Sequence, residues 1–95
     1  MASFGAWLDL YEEVVRDPGR LADAVCPNCG SRRVRIALVV YGSVFSSGSG
    51  QLWCDHCLTG IQLSRVPIVD GVPVLRDGVV LDEADRIPRY KIVPP

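Results

Sequence analysis

The chain has 95 residues, a formal net charge of −1 and 48% hydrophobic residues. That length fits one domain, and folding at this size withdraws only about 60–65% of the unfolded surface from water, so a staple would help a small core. The apolar and aromatic content excludes a disordered or collagen-like chain.

The first segment, WLDLYEEVV, spaces Trp7, Leu10, Tyr11, Val14 and Val15 as one helical face, with Asp9, Glu12, Glu13 and Arg16 off the stripe. Asp17-Pro18 then starts a second, short helix to about Ala24, the aspartate supplying a cap and the proline occupying the first helical position. Residues 1 to 25 carry five acids against Arg16 and Arg20, whereas residues 26 to 69 carry four arginines against Asp55. Only the middle of the chain is basic.

In RRVRIALVVY, arginines alternate with apolar residues at first and the run ends apolar on both faces, a strand covered on both sides at one end. GSVFSSGSG follows and reads as a polar, permissive loop around Val44 and Phe45. LTGIQLSRV alternates Ile61, Leu63 and Arg65 against Gln62, Ser64 and Val66. Asp70-Gly71 and Asp77-Gly78, each between valine-rich runs, predict tight hairpin turns, so residues 61 to 81 read as a meander with Pro67 and Pro73 on edges. One turn at Asp82 to Arg86 precedes an extended tail, with Tyr90 and Ile92 projecting to one side as docking residues for a partner or for the domain itself.

Ile36 to Tyr41 is the longest wholly apolar run, far short of the roughly 20 residues that span a bilayer. The N-terminus lacks the basic region of a signal peptide and is interrupted by acids. The expected location is therefore cytoplasmic, where cysteines stay reduced and paired cysteines indicate metal before disulfides.

Cys26-x2-Cys29 and Cys54-x2-Cys57, separated by 24 residues, can present two thiolates from each of two tight turns. Together they form the four-sulfur shell that suits one structural zinc ion. Iron in a rubredoxin-like site has the same ligand chemistry. A redox dithiol would need a helix opening at the first cysteine, whereas Ser31, Arg32, Arg33 and a strand pattern follow here. His56, inside the second pair, is expected to point outward.

CPNCG has the form of a zinc-ribbon knuckle, and residues 25 to 66 resemble the zinc-ribbon fold group. The resemblance implies that Pro27 fixes the turn and Gly30 lets amides point at sulfur. CDHCL lacks that proline and the immediately following glycine, which bears on turn geometry more than on ligation. Trp53 is expected to pack over the site, with Gly30 and Gly60 beside it.

The fold expected is α+β. An N-terminal helical segment (1–25) packs on a small, mostly antiparallel sheet that holds the zinc ribbon (26–66), followed by a β-meander (67–87) and an extended tail (88–95). A closed four-cysteine site keeps no position for substrate, and neither a nucleophile with a base beside it nor a phosphate loop is evident, so no enzyme and no small-molecule substrate are expected. The mean hydropathy of +0.21 and the doubly apolar strand point to a protein partner or a homodimer. The alternative is nucleic-acid binding through Arg32, Arg33, Arg35 and Arg65, set against a sequence pI of 5.7.

Overall fold

A computed structural model describes residues 2–40, 47–72, 74–76 and 87–95. Helix α1, Phe4–Arg16, starts where the Ser3 hydroxyl accepts the Ala6 amide at 3.3 Å, and Arg16 sits in its last turn, at the negative end of the helix dipole. Trp7, Tyr11 and Val14 are the buried ridge, and Leu10 and Val15 flank it half-buried. The second helix, Pro18–Asp23, is a 3-10 helix. Asp17 places no side chain on its amides. Its carboxylate lies 3.5 Å from Arg20 Nε, and its carbonyl accepts the Arg20 amide at 2.9 Å.

Five strands follow: β1 Val34–Val40, β2 Ser47–Cys54, β3 Thr59–Pro67, β4 Val74–Arg76 and β5 Lys91–Ile92. They form one sheet in the order β4-β1-β2-β3-β5. The three central strands are antiparallel neighbours, and each outer strand runs parallel to the one it flanks. The fold is α+β, with α1 on one face of a mixed sheet. Because alternate residues share a face, the register Val34↔Cys54, Ile36↔Leu52 and Leu52↔Ile61 aligns one apolar face. That face closes with Trp7, Tyr11 and Val14 into a single core. At Gly50 a Cβ atom would collide with the Tyr11 hydroxyl, so this glycine sets how closely the helix approaches.

Four expectations change. The second half of GSVFSSGSG is strand rather than loop, since Ser47 to Gly50 extend β2. The ladder to β1 outweighs the low strand propensity of serine and glycine, and Gly48 and Gly50 stand where other atoms come too close for a side chain. Tyr41 to Ser46 lie outside the described residues.

Within β3, Ser64 and Arg65 together face Ser49 in a bulge, where Arg65 takes a positive φ of 55°. The extra residue shifts the alternation by one, so Val66 joins Leu63 against the core and Arg65 is exposed.

The meander is replaced by a crossover: β4 does not return beside β3 but pairs in parallel with β1 at the far edge. At Asp70-Gly71 only the glycine has a positive φ, 87°, and the Val72 amide reaches the Val69 carbonyl at 3.4 Å. That is the pattern of a type II turn, which splays its flanking segments, rather than of a hairpin turn. Pro67 ends β3; Pro73, Asp77-Gly78 and the turn at Asp82 to Arg86 lie outside the described residues.

The tail closes over its own domain. The Tyr90 hydroxyl donates to Gln51 Oε1 at 2.7 Å and to the Ile61 carbonyl at 3.1 Å, and its ring stacks on Trp53 with centroids 5.8 Å apart. Val93 is buried, while Ile92 stays 49% exposed. Of the two tail residues read as docking groups, only Ile92 faces solvent. Among the described residues, no helix is long and apolar enough to cross a membrane.

Candidate metal centre

The two knuckles hang from the same end of one antiparallel strand pair. Cys26 and Cys29 precede β1, Cys54 ends β2, and Cys57 closes the turn into β3, so the pairing Val34↔Cys54 brings the two turns together. All four sulfur atoms lie within 4.8 Å of one another. The cross-knuckle pairs Cys26–Cys57 and Cys29–Cys54 are each separated by 3.7 Å. A tetrahedral thiolate site with metal–sulfur bonds of about 2.3 Å has edges of about 3.8 Å. A disulfide would need about 2.05 Å. The spacing therefore fits four thiolates around one ion.

Donors converge on the sulfurs as a metal–thiolate site requires. The amides of Asn28 and Cys29 point at Cys26 Sγ at 3.3 and 3.4 Å, and the His56 amide points at Cys54 Sγ at 3.4 Å. Ser31 Oγ lies 3.2 Å from Cys54 Sγ. Asn28 Nδ2 donates to Cys57 Sγ at 3.6 Å, while Asn28 Oδ1 accepts the Ala2 amide at 3.1 Å. Asn28 and Ser31 were not singled out in the sequence. The available signal was a side-chain donor placed within, or just after, the first knuckle.

The second knuckle repeats the first without its glycine. The Gly30 amide donates to the Cys26 carbonyl at 2.9 Å, and the Leu58 amide donates to the Cys54 carbonyl at 2.9 Å. Gly30 has φ 77°, and Leu58 adopts the same left-handed region at φ 51°. Leu58 thus tolerates a backbone conformation costing about 1–2 kcal/mol for a residue with a Cβ.

Burial differs sharply among the ligands. Cys26 and Cys54 belong to the core, Cys57 is intermediate and Cys29 is exposed. Without metal, burial pushes the Cys26 thiol up to about 12. The Ser31 hydroxyl, then the Ser31 amide, hold Cys29 down to about 6. His56 is exposed and takes no place in the sulfur cluster.

Trp53 and Gly60 do not cover the cysteines. Successive strand residues point to opposite faces, so Trp53 lies across the sheet from Cys54, where its indole donates to Asp55 Oδ1 at 2.9 Å and stacks on Tyr90. Gly60 pairs with Trp53, and a Cβ there would run into the Leu52 carbonyl and the Trp53 backbone. Its absence of a side chain lets β3 lie against the Trp53 segment.

The arginines separate into two places. Arg32, Arg33 and Arg35 are exposed and line one cleft with Pro18, Leu21 and Ala22 of the 3-10 helix. Arg65 lies at the other end of the sheet, at the bulge beside Ser49. Arg35 Nε donates to Asp55 Oδ2 at 3.0 Å, while Arg32 and Arg33 enter no ion pair among the described residues.

No protein-family model matches the chain, and no curated protein and no solved structure matches it.

Proposed function

We propose that this chain is a small, non-catalytic protein-interaction module stapled by one zinc ion. Cys26, Cys29, Cys54 and Cys57 would fill all four positions of a tetrahedral ion, leaving none for water or substrate. Zinc matches the all-thiolate set, and binding energies of about 10–16 kcal/mol in small zinc modules are large beside the stability of a domain of this size. Elemental analysis of the purified protein tests the metal: one zinc per chain is expected, and a coloured, iron-containing protein overturns this assignment.

The observation that carries the interaction reading is Leu58. It is strained at φ 51° yet 44% exposed, so neither backbone relaxation nor burial accounts for a leucine there. Ile92, 49% exposed, lies on the strand paired beside it, where the Leu58 carbonyl accepts the Lys91 amide at 2.8 Å. Two apolar side chains beside the second knuckle fit the apolar surface of another protein chain, a second copy included. The variant Leu58→Ser/Ile92→Ser should keep its metal and its melting curve, but lose self-association or partner capture. A monomeric wild type that captures the same proteins as the double variant sinks the proposal.

A further inference from the structure

The cleft between the 3-10 helix and β1 is a second surface, independent of Leu58 and Ile92. Its opening of ≈ 460 Å³ lies within the ~300–1,000 Å³ of ordinary ligand clefts. Three arginines line it, and among the described residues no acidic residue does. This segregation is notable in a chain whose net charge is −1.

Among the described residues, acids of the helical segment beside the cleft pair with Arg20 or line another groove. Asp17 and Glu13 both pair with Arg20, at 3.5 and 3.3 Å, and Asp23 lines a different groove, with Val25. Arg35 is held without being used up. Asp55 takes only its Nε, and Asp55 is itself fixed by the Trp53 indole. Among the described residues the two terminal nitrogens of Arg35 have no partner, which leaves them open for bidentate contact. Arg32 and Arg33 enter no ion pair among the described residues.

Arg33 and Arg35 lie two residues apart in extended chain, a step of about 6–7 Å, comparable with the step between successive phosphates of an extended single strand. Pro18, Leu21 and Val34 supply an apolar wall on which a sugar or base edge can rest. Among the described residues no aromatic side chain lines the cleft, so the contact argued here is to the backbone rather than by base stacking.

We propose that Arg32, Arg33 and Arg35 bind the phosphodiester backbone of a single-stranded nucleic acid in this cleft, without base preference. This goes beyond the protein-interaction reading and does not depend on it. Three phosphate contacts give log affinity against log salt a slope of about −2 on a single strand.

The test uses full-length, metal-loaded protein and a fluorescent twelve-residue oligothymidylate, read by anisotropy across a salt series; about −2 is the slope expected. Arg32→Gln/Arg33→Gln should flatten the slope to about −0.7, one contact remaining. A single-stranded RNA of the same length should bind alike. Leu58→Ser/Ile92→Ser should bind the oligonucleotide as wild type does, which separates failure of this proposal from failure of the interaction reading. Unchanged metal content and melting temperature in the arginine variant exclude misfolding. Two results overturn the proposal: no binding at low salt, or a poly-glutamate peptide that binds through the same arginines while the oligonucleotide does not.

Discussion

Gly30 and Leu58 occupy equivalent places, and exchanging side chains there isolates the cost of the knuckle turn. A Cβ at Gly30 would meet nothing within 4 Å, so Gly30→Ala changes only backbone preference. The left-handed conformation costs about 1–2 kcal/mol with a Cβ, while alanine restricts the unfolded chain and returns about 0.4–1 kcal/mol. The net loss is about 1 kcal/mol, roughly 4–8 °C in a domain of this size. At Leu58, alanine and glycine both remove the same exposed side chain, so their difference again reports the turn. Leu58→Gly should melt higher than Leu58→Ala by a similar margin. At His56, exposed and without a positive φ, the order should reverse, glycine being the less stable. Thermal denaturation followed by circular dichroism at saturating metal measures all three pairs. If alanine equals or exceeds glycine at position 58 as it does at 56, the second knuckle does not adopt the left-handed turn and the equivalence fails.

Three further outcomes follow from the packing and the ionisation of the site. Gly60→Ala should cost about 1–3 kcal/mol or more, because the new methyl meets backbone rather than a movable side chain; it should also disturb Trp53 fluorescence, and a wild-type spectrum and melting curve would count against the close approach. Tyr11 OH and Trp7 Nε1 are buried without a partner among the described residues, so Tyr11→Phe should leave stability unchanged or raise it by about 1 kcal/mol; a clear loss in urea denaturation would mean that the hydroxyl has a partner. Metal affinity should fall with pH: Cys26, pushed up to about 12, is protonated at neutral pH without metal and must lose that proton on binding. Each ligand thiol that must lose a proton weakens binding about tenfold per unit of falling pH, so Cys26 alone sets a slope of at least about tenfold, and below pH about 6, where Cys29 also becomes protonated, the dependence steepens by about another factor of ten per unit. A competition titration against a chromophoric chelator that gave a flat profile would refute this.

The helix, β1 and the cysteine cluster were legible because each announces itself locally. Trp7, Tyr11 and Val14 repeat at helical spacing, β1 is a dense apolar run, and two C-x-x-C pairs need only meet. What was not legible depends on partners distant in sequence. The bulge at Arg65 reverses the face of every residue after it, and no pattern in LTGIQLSRV marks it in advance. Asp70-Gly71 permits several turn types, and the choice between them sent β4 to the far edge of the sheet. Ser47 to Gly50 look like loop because their strand character comes from the ladder with Val39 and Leu38, not from their own preferences. Trp53 precedes Cys54, which suggests a place beside the cysteines, but pleating sends it to the opposite face. Arg32, Arg33 and Arg35 are close in sequence and stay together, whereas Arg65, expected to join them from another strand, lies at the bulge beside Ser49.

The distances around the cysteines explain how so small a core holds a mixed sheet together. Asn28 joins the Ala2 amide to Cys57 Sγ, bridging the start of the chain and both knuckles. The Lys91 and Val93 amides bond the Leu58 and Gly60 carbonyls at 2.8 Å, tying the last strand to the exit of the second knuckle. The entry to α1, both cysteine turns and the tail therefore converge on one cluster. Linking Cys26 to Cys57 through an ion closes a segment of 31 residues, and the chain-entropy relation for cross-links gives about 3–4 kcal/mol for a loop of that length. Cys26 and Cys54 are at the same time core residues, 2% and 0% exposed, so an ion held there would neither hang outside the hydrophobic core nor replace it. It would fix the end of the sheet at which β1 begins and β2 ends.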